Sequence, residues 1–204
     1  MKRGGRNIKF QLDTKALIFI SIILYFAPKD FVAAYFLAVF FHEAGHVLCL
    51  LLFRRKIYSA RLELKGLLIE HEGGMSELEV LLCAAAGPIT GLLFAYASSF
   101  LAHFSCPDFF NLCAGLSLAL SIFNALPIIP LDGAAAFKSL VDMLGIKRSS
   151  EIVFVISVSF CAILLALGIC LMSRGMGYGI TAMSMILLFG TLFDEGIVKK
   201  CELS

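Results

Sequence analysis

Two histidines and a glutamate interrupt an otherwise apolar helical run, at His42, Glu43 and His46. On a helix, side chains four residues apart lie about 40° apart around the axis and about 6 Å apart along it, so both imidazoles can reach one metal ion. Glu43 then lies beside the metal and can act as a general base. This spacing is typical of zinc hydrolases.

A catalytic zinc site usually has three protein ligands and an open position for water, so a third ligand must come from elsewhere in the chain. The candidates are Asp132, Asp194, Glu195, His71, His103 and the acids of the segment around residues 63–72. Asp132 is favoured because the apolar segment before it leads to the same side of the membrane as the two histidines. The others are expected at a helix end, an outer interface or a loop surface.

The segment from Asn124 to Gly133 carries two prolines, Pro127 and Pro130. Both cannot belong to one unbroken helix, so an extended stretch is predicted here. Non-helical backbone at membrane depth is tolerated where it lines a cavity enclosed by protein or filled with water. Hydrolysis needs such a cavity.

The composition is that of an integral membrane protein, with 60% hydrophobic residues and 19 Phe among 204 residues. Four apolar runs are long enough to cross a bilayer, and two shorter runs need their flanks to do so. The long runs are 31–53, 80–104, 109–131 and 152–172, and the short ones are 16–27 and 180–193. The predicted fold class is therefore an all-α polytopic membrane protein with six transmembrane helices and a short cytoplasmic β-hairpin.

The hairpin prediction rests on the segment between the second and third spans. Residues 61–65 alternate polar and apolar side chains, Gly66 offers a turn, and residues 67–69 resume an apolar run. A surface loop with accidental alternation is the alternative. If the segment is a hairpin, its open edge could pair with an extended substrate.

The basic residues are distributed asymmetrically, because six helices threaded from a cytoplasmic N-terminus place fifteen of the seventeen on one side. Cytoplasmic loops accumulate Lys and Arg, so both termini are predicted to be cytoplasmic. The charges are spread over loops, which argues against nucleic acid as a partner. The chain is predicted to be one membrane-embedded domain, 1–204, with a catalytic core at about 31–133 and flanking spans at about 16–28, 152–172 and 178–195.

The third span contains a cluster of small residues, Ala84-Ala85-Ala86-Gly87-Pro88, followed by Gly91. Small residues on one face let helices approach closely in lipid. A structural role in packing is therefore expected for Gly87 and Pro88, with a direct role in substrate binding as the alternative.

These motifs resemble the site-2 protease family of intramembrane zinc metalloproteases. The resemblance rests on His42-Glu43-Ala44-Gly45-His46 and on the block Asn124, Pro127, Pro130 and Leu131-Asp132-Gly133. The six-span layout is most similar to the bacterial branch that includes the sporulation protease that releases a membrane-tethered pro-sigma factor.

The resemblance implies one Zn²⁺ per chain, held by His42, His46 and Asp132, with Glu43 as the base. It implies that Asn124 hydrogen-bonds the substrate backbone near the scissile bond, and Pro127 is assigned to substrate binding with it. Pro130 and Gly133 are assigned structural roles. The active site is expected in the cytoplasmic half of a bacterial cell membrane.

The expected partners are a membrane-tethered protein substrate, the lipid bilayer, and a membrane inhibitor or activator protein. No nucleotide is expected, because the chain stops at Ser204 before a CBS module of the kind that many members of that branch append. A metal-ion transporter and a non-catalytic membrane scaffold are the alternatives. A transporter does not require Glu43, and serine proteolysis is disfavoured because the chain has no GxSxG element.

Overall fold

The computed structural model describes residues 9–12, 27–55, 57–63, 66–71 and 74–193. Most of the first predicted span, residues 16–26, and the acidic pair Asp194 and Glu195 lie outside these residues. The described elements are, in chain order, β1 (Lys9–Leu12), α1 (Lys29–Leu52), β2 (Ile57–Glu63), β3 (Gly66–His71), α2 (Glu77–Leu101), α3 (Pro107–Asn124), α4 (Asp132–Met143), α5 (Ser149–Met172) and α6 (Tyr178–Phe193).

Three of the helices in the described part of the chain, α1, α2 and α5, are long and apolar enough to cross a membrane. The helix α6 is apolar but shorter. Large apolar side chains such as Leu52, Tyr96 and Phe189 remain exposed on these helices. This pattern suits a membrane protein, because contiguous exposed apolar surface is unfavourable in water.

The ends of the helices follow from local sequence signals. Ser76 and Glu79 form a capping box at the start of α2, where the Ser76 N–H donates to the Glu79 carboxylate at 2.8 Å and the Glu79 N–H donates to the Ser76 hydroxyl at 3.3 Å. Pro107 is the first residue of α3, a position where its missing N–H costs no helical hydrogen bond. Gly145 follows α4 with a φ of 75°, the left-handed conformation that commonly ends a helix.

The structure differs from the sequence prediction around residue 124. The fourth predicted span extends to Leu131, whereas the helix α3 ends at Asn124. Pro127 and Pro130 explain the early end, since neither fits inside a continuing helix. The short helix α4 was not predicted, because its 12 residues fell in a stretch that was interpreted as a cytoplasmic loop.

The three strands form one sheet in the order β1-β2-β3. The strand β2 pairs antiparallel with β3, with Ala60 opposite Ile69 and Glu63 opposite Gly66. The strand β1, which the sequence did not predict, pairs parallel with β2, with Phe10 opposite Ala60.

The chain forms two compact units, of which the first comprises residues 1–75 and 86–122. In this unit α1 packs against α2. Phe41 stacks on Phe94 with ring centroids 4.0 Å apart. The Thr90 hydroxyl lies 3.0 Å from the Phe41 carbonyl oxygen, and a Cβ added to Gly45 would overlap the Thr90 side chain. The backbone of α1 therefore approaches α2 closely at Gly45, as small residues permit in lipid.

The second unit comprises residues 76–85 and 123–204. The segment between α3 and α4 supplies its core, because Ile128 packs on Cys161 of α5 and Leu187 of α6. Ile129 is buried beside Val153 and the first turn of α4. Ile128 and Ile129 are thus enclosed by protein, whereas Ala125 and Pro130 of the same segment are exposed.

Lys138 and Asp142 form an ion pair on α4, with the Lys138 Nζ 2.7 Å from an Asp142 carboxylate oxygen. Burial raises the pKa of Asp142, but hydrogen bonds from Lys138 and Ser149 and the Lys138 charge outweigh it, so the net pKa is lowered. A carboxyl whose pKa is lower in the folded state contributes stability above its unfolded pKa, and that contribution is lost as the pH falls through the lowered value.

Asp142→Asn should therefore lower the stability of the detergent-solubilised protein at neutral pH by on the order of 0.5 kcal/mol, a value typical of a partly exposed pair. Thermal unfolding of both proteins from pH 7 down to pH 3 checks this. The difference in melting temperature should shrink toward the acidic end. A difference that stays constant over that range would contradict the ion-pair assignment.

Candidate metal centre

The two imidazoles of α1 lie side by side. Their Nε2 atoms are 3.4 Å apart, and the ring planes cross at 77° with centroids 5.1 Å apart. His42 is buried, with 5% of its surface exposed, and His46 is half-buried. The i, i+4 spacing on one helix produces this convergence directly.

The separation of the two Nε2 atoms suits a shared zinc ion. Two nitrogen ligands of a tetrahedral zinc ion, each about 2.0–2.1 Å from the metal, lie about 3.3–3.4 Å apart. A direct N–H···N hydrogen bond would be shorter than the observed 3.4 Å in its preferred geometry. The histidine pair therefore fits a metal without rearrangement of the helix.

The imidazoles of His42 and His46 lie near glycines of α2. A Cβ added to Gly87 would overlap the His46 imidazole, and one added to Gly91 would overlap the Ser121 hydroxyl and lie 3.9 Å from the His42 Nδ1. Because glycine lacks a Cβ, the His46 imidazole can lie directly against the α2 backbone at Gly87. Gly87, a member of the small-residue cluster of the third predicted span, thus leaves room for one of the candidate ligands.

Glu43 follows His42 on α1 and is partly buried. Consecutive residues on a helix point about 100° apart, so the Glu43 carboxylate projects beside the imidazole pair rather than in line with it. This placement suits a base that acts next to a metal more than it suits a fourth ligand.

Asp132 is the first residue of α4, and Asn124 is the last residue of α3. The segment between them contains Pro127 and Pro130, and Gly133 follows Asp132. A Cβ added to Gly133 would overlap the carbonyl oxygens of Ala125 and Leu126, so the first turn of α4 lies directly on that segment.

Among the residues that the structure describes, the one set of candidate metal ligands is His42 and His46 of the first unit with Asp132 of the second. The other candidates differ. His103 is exposed, with its Nδ1 3.0 Å from the Ser99 carbonyl oxygen, and His71 is the last residue of β3. Asp194 and Glu195 lie outside the described residues.

The chain is similar to a known protein family over part of its length. Residues 101–167 match the family model described as Peptidase family M50, a stretch that includes Asn124 and Asp132 and not the histidine pair. The match covers about a third of the chain.

The chain is also similar in fold to the solved structure of "Site-2 Protease from Methanocaldococcus jannaschii". The TM-score is 0.67 at 22% sequence identity, over 94% of this chain and 91% of the other. At this identity the likeness concerns the fold. No curated protein sequence matches the chain.

Sequence reasoning did not identify the polar side chains that hold the segment before Asp132. Ser157 of α5 and Thr191 of α6 hydrogen-bond the backbone of this segment. A buried Ser or Thr in an apolar helix is the only local signal of such a role, and most of these side chains simply bond their own helix.

Gly87→Ala should weaken metal binding by roughly tenfold or more, as expected when the surroundings of a ligand no longer orient it. The reason is that the added methyl would overlap the His46 imidazole and displace it. Gly115→Ala is the matched control, since this glycine also lies in a helix but an added Cβ meets no atom within 4 Å. Chelator competition with purified protein measures the affinities. Equal affinity in Gly87→Ala and wild type would refute the close seating of His46.

Proposed function

We propose that the chain is an intramembrane zinc metalloprotease in which His42, His46 and Asp132 hold one Zn²⁺ and Glu43 is the general base. The observation that carries the proposal is the 3.4 Å separation of the two imidazole Nε2 atoms, within a His-His-Asp group that could hold a metal ion. Two imidazoles and one carboxylate are ligands that catalytic zinc accepts, and they leave a fourth position open.

The chemistry follows from the placement of Glu43 beside this group. Zinc held by His42, His46 and Asp132 would supply a Lewis acid that activates a water and polarises the substrate carbonyl. The Glu43 carboxylate would take a proton from the attacking water and pass it to the leaving amine. One carboxylate thus acts first as a base and then as an acid.

The substrate must present an extended backbone. A transmembrane helix keeps its amides in internal hydrogen bonds, so the cleaved segment has to unwind before its carbonyl is accessible. Asn124 and Pro127 are proposed to contact this extended segment, because one ends α3 and the other follows it in the non-helical stretch before Asp132. A strand edge of the β1-β2-β3 sheet could pair with the substrate as an added strand.

The substrate class that suits the site is a membrane-tethered protein. Resemblance to the sporulation branch favours a membrane-tethered pro-sigma factor, with a membrane inhibitor or activator protein as regulator. The proposed location is a bacterial cell membrane, with both termini in the cytoplasm and the metal in the cytoplasmic half of the bilayer, in keeping with the asymmetry of basic residues.

Glu43→Gln should retain zinc but lower the cleavage rate by about 10²-fold to 10⁴-fold, because the amide keeps the size of the side chain and cannot accept the proton. Zinc content by elemental analysis, and cleavage of a co-expressed single-span substrate, measure the two effects. Glu151→Gln is the control, since that exposed carboxylate at the start of α5 pairs with Arg148 at 3.5 Å. Cleavage at the wild-type rate by Glu43→Gln would contradict the proposed function.

The proposed topology places Cys106, an exposed residue between α2 and α3, outside the cell and Cys201 inside it. We expect a membrane-impermeant thiol reagent to label intact cells through Cys106. The comparison uses two variants in which Cys170 and either Cys106 or Cys201 are replaced by Ser. Labelling of Cys201 should require lysis, and the reverse pattern would invert the orientation.

A further inference from the structure

The segment between α3 and α4 is not helical, and its central residues are buried. Residues 125–131 separate the last residue of α3 from Asp132, and within them Ile128 and Ile129 are buried. Buried backbone N–H and C=O groups need hydrogen-bond partners, and a non-helical segment does not supply most of them itself. Side chains from other elements must therefore bind it.

Ser157 of α5 supplies one set of these bonds. Its hydroxyl accepts a hydrogen bond from the Ile129 N–H at 3.1 Å and lies 3.2 Å from the Pro127 carbonyl oxygen. The same hydroxyl is 2.7 Å from the Val153 carbonyl oxygen of its own helix. Ser157 is fully buried. Its hydroxyl thus joins α5 to the segment at two points.

Thr191 of α6 binds the other side of the same residue. Its hydroxyl lies 2.9 Å from the Ile129 carbonyl oxygen and 2.8 Å from the Leu187 carbonyl oxygen. Thr191 is buried, with 5% of its surface exposed. The N–H and the C=O of Ile129 are therefore held by hydroxyls from two different helices.

Hydrogen bonds and one close contact restrict the backbone between Ile129 and Asp132. The Leu131 N–H donates to the Ile128 carbonyl at 2.7 Å, and the Ala134 N–H donates to the Leu131 carbonyl at 3.1 Å. Gly133 lies against the carbonyls of Ala125 and Leu126, where no larger residue fits. A displacement of Ile129 must therefore move Asp132.

We propose that Ser157 and Thr191 are positioning residues for the metal ligand Asp132, acting through the backbone of Ile129. They do not bind the metal. They hold the backbone that precedes Asp132 and so fix the position of that residue. The inference rests on the proposed function, because it assumes that Asp132 binds zinc. It extends the residues that determine metal binding to α5 and α6, beyond the predicted catalytic core of 31–133.

Hydroxyls elsewhere on the same helices provide controls, of which Ser184 is buried and Ser159 is exposed. The Ser184 hydroxyl of α6 is buried and donates to the Ile180 carbonyl of its own helix. The Ser159 hydroxyl of α5 donates to the Val155 carbonyl of its own helix at 2.8 Å. Both have the i−4 bond that Ser157 and Thr191 also make, but within the described part of the chain neither hydroxyl hydrogen-bonds the segment before Asp132. They therefore separate a role in helix packing from a role in positioning.

The test compares zinc affinity, by chelator competition, in full-length purified Ser157→Ala, Thr191→Val, Ser159→Ala and Ser184→Ala. Ser157→Ala and Thr191→Val should bind zinc about 10-fold to 100-fold more weakly than wild type, the range typical when the groups that orient a ligand are lost. Thr191→Val keeps the side-chain shape, so it remains informative if Ser157→Ala folds poorly. The two control variants should stay within about twofold of wild type on the same scale.

A second readout does not depend on metal. Amide hydrogen exchange of the metal-free protein should be faster for peptides covering residues 127–132 in Ser157→Ala, and unchanged in Ser159→Ala. Faster exchange with wild-type zinc affinity would overturn the positioning role and leave the proposed function intact. Wild-type protein that binds no zinc would instead overturn the proposed function. Unchanged exchange in Ser157→Ala would show that its hydroxyl does not hold the segment.

Discussion

Every polar backbone group inside an apolar helical protein needs a hydrogen-bond partner from the protein itself. The segment before Asp132 shows how the chain meets this constraint. Pro127 and Pro130 prevent a helix there, and hydroxyls from α5 and α6 bind the backbone groups of Ile129 that the break exposes. After this break, Asp132 begins a new helix, α4. In our proposal, the position of Asp132 thus depends on the hydrogen bonds that Ser157 and Thr191 make with the Ile129 backbone.

The histidine pair obeys a second constraint, which is steric. Imidazoles at i and i+4 converge because of helix geometry alone, but they also need room beside the neighbouring helix. Gly87 provides that room for His46 on α2, and Gly45 lets α1 come close to it. Small residues in membrane helices are often explained by packing alone. Here the same residues also define the space in which the ligands lie.

The sequence predicted the structural features near the candidate site that depend on local spacing. The convergence of His42 and His46 follows from helix geometry, and the break after Asn124 follows from proline chemistry. The roles of His42, Glu43, His46 and Asp132 in metal binding and catalysis stay predictions. The three long apolar helices follow from composition. The strand β1 and the helix α4 were missed, because a four-residue strand and a 12-residue helix give weak signals in a chain dominated by apolar runs. The roles of Ser157 and Thr191 were missed because their partners lie 28 and 62 residues away along the chain.

The hydrogen bonds from Ser157 and Thr191 to the Ile129 backbone limit how the chain can be shortened or recombined. The region from 31 to 133 contains every proposed ligand and the proposed base, so it invites treatment as a minimal enzyme. Truncation after that region would strip the Ile129 peptide groups of both hydroxyl partners and leave them in an apolar environment. Grafting the last two helices from a distant relative would do the same unless the donor carried hydroxyls at the equivalent places. A fragment of residues 31–133 would therefore lack hydrogen-bond partners that lie in the carboxyl-terminal third of the protein.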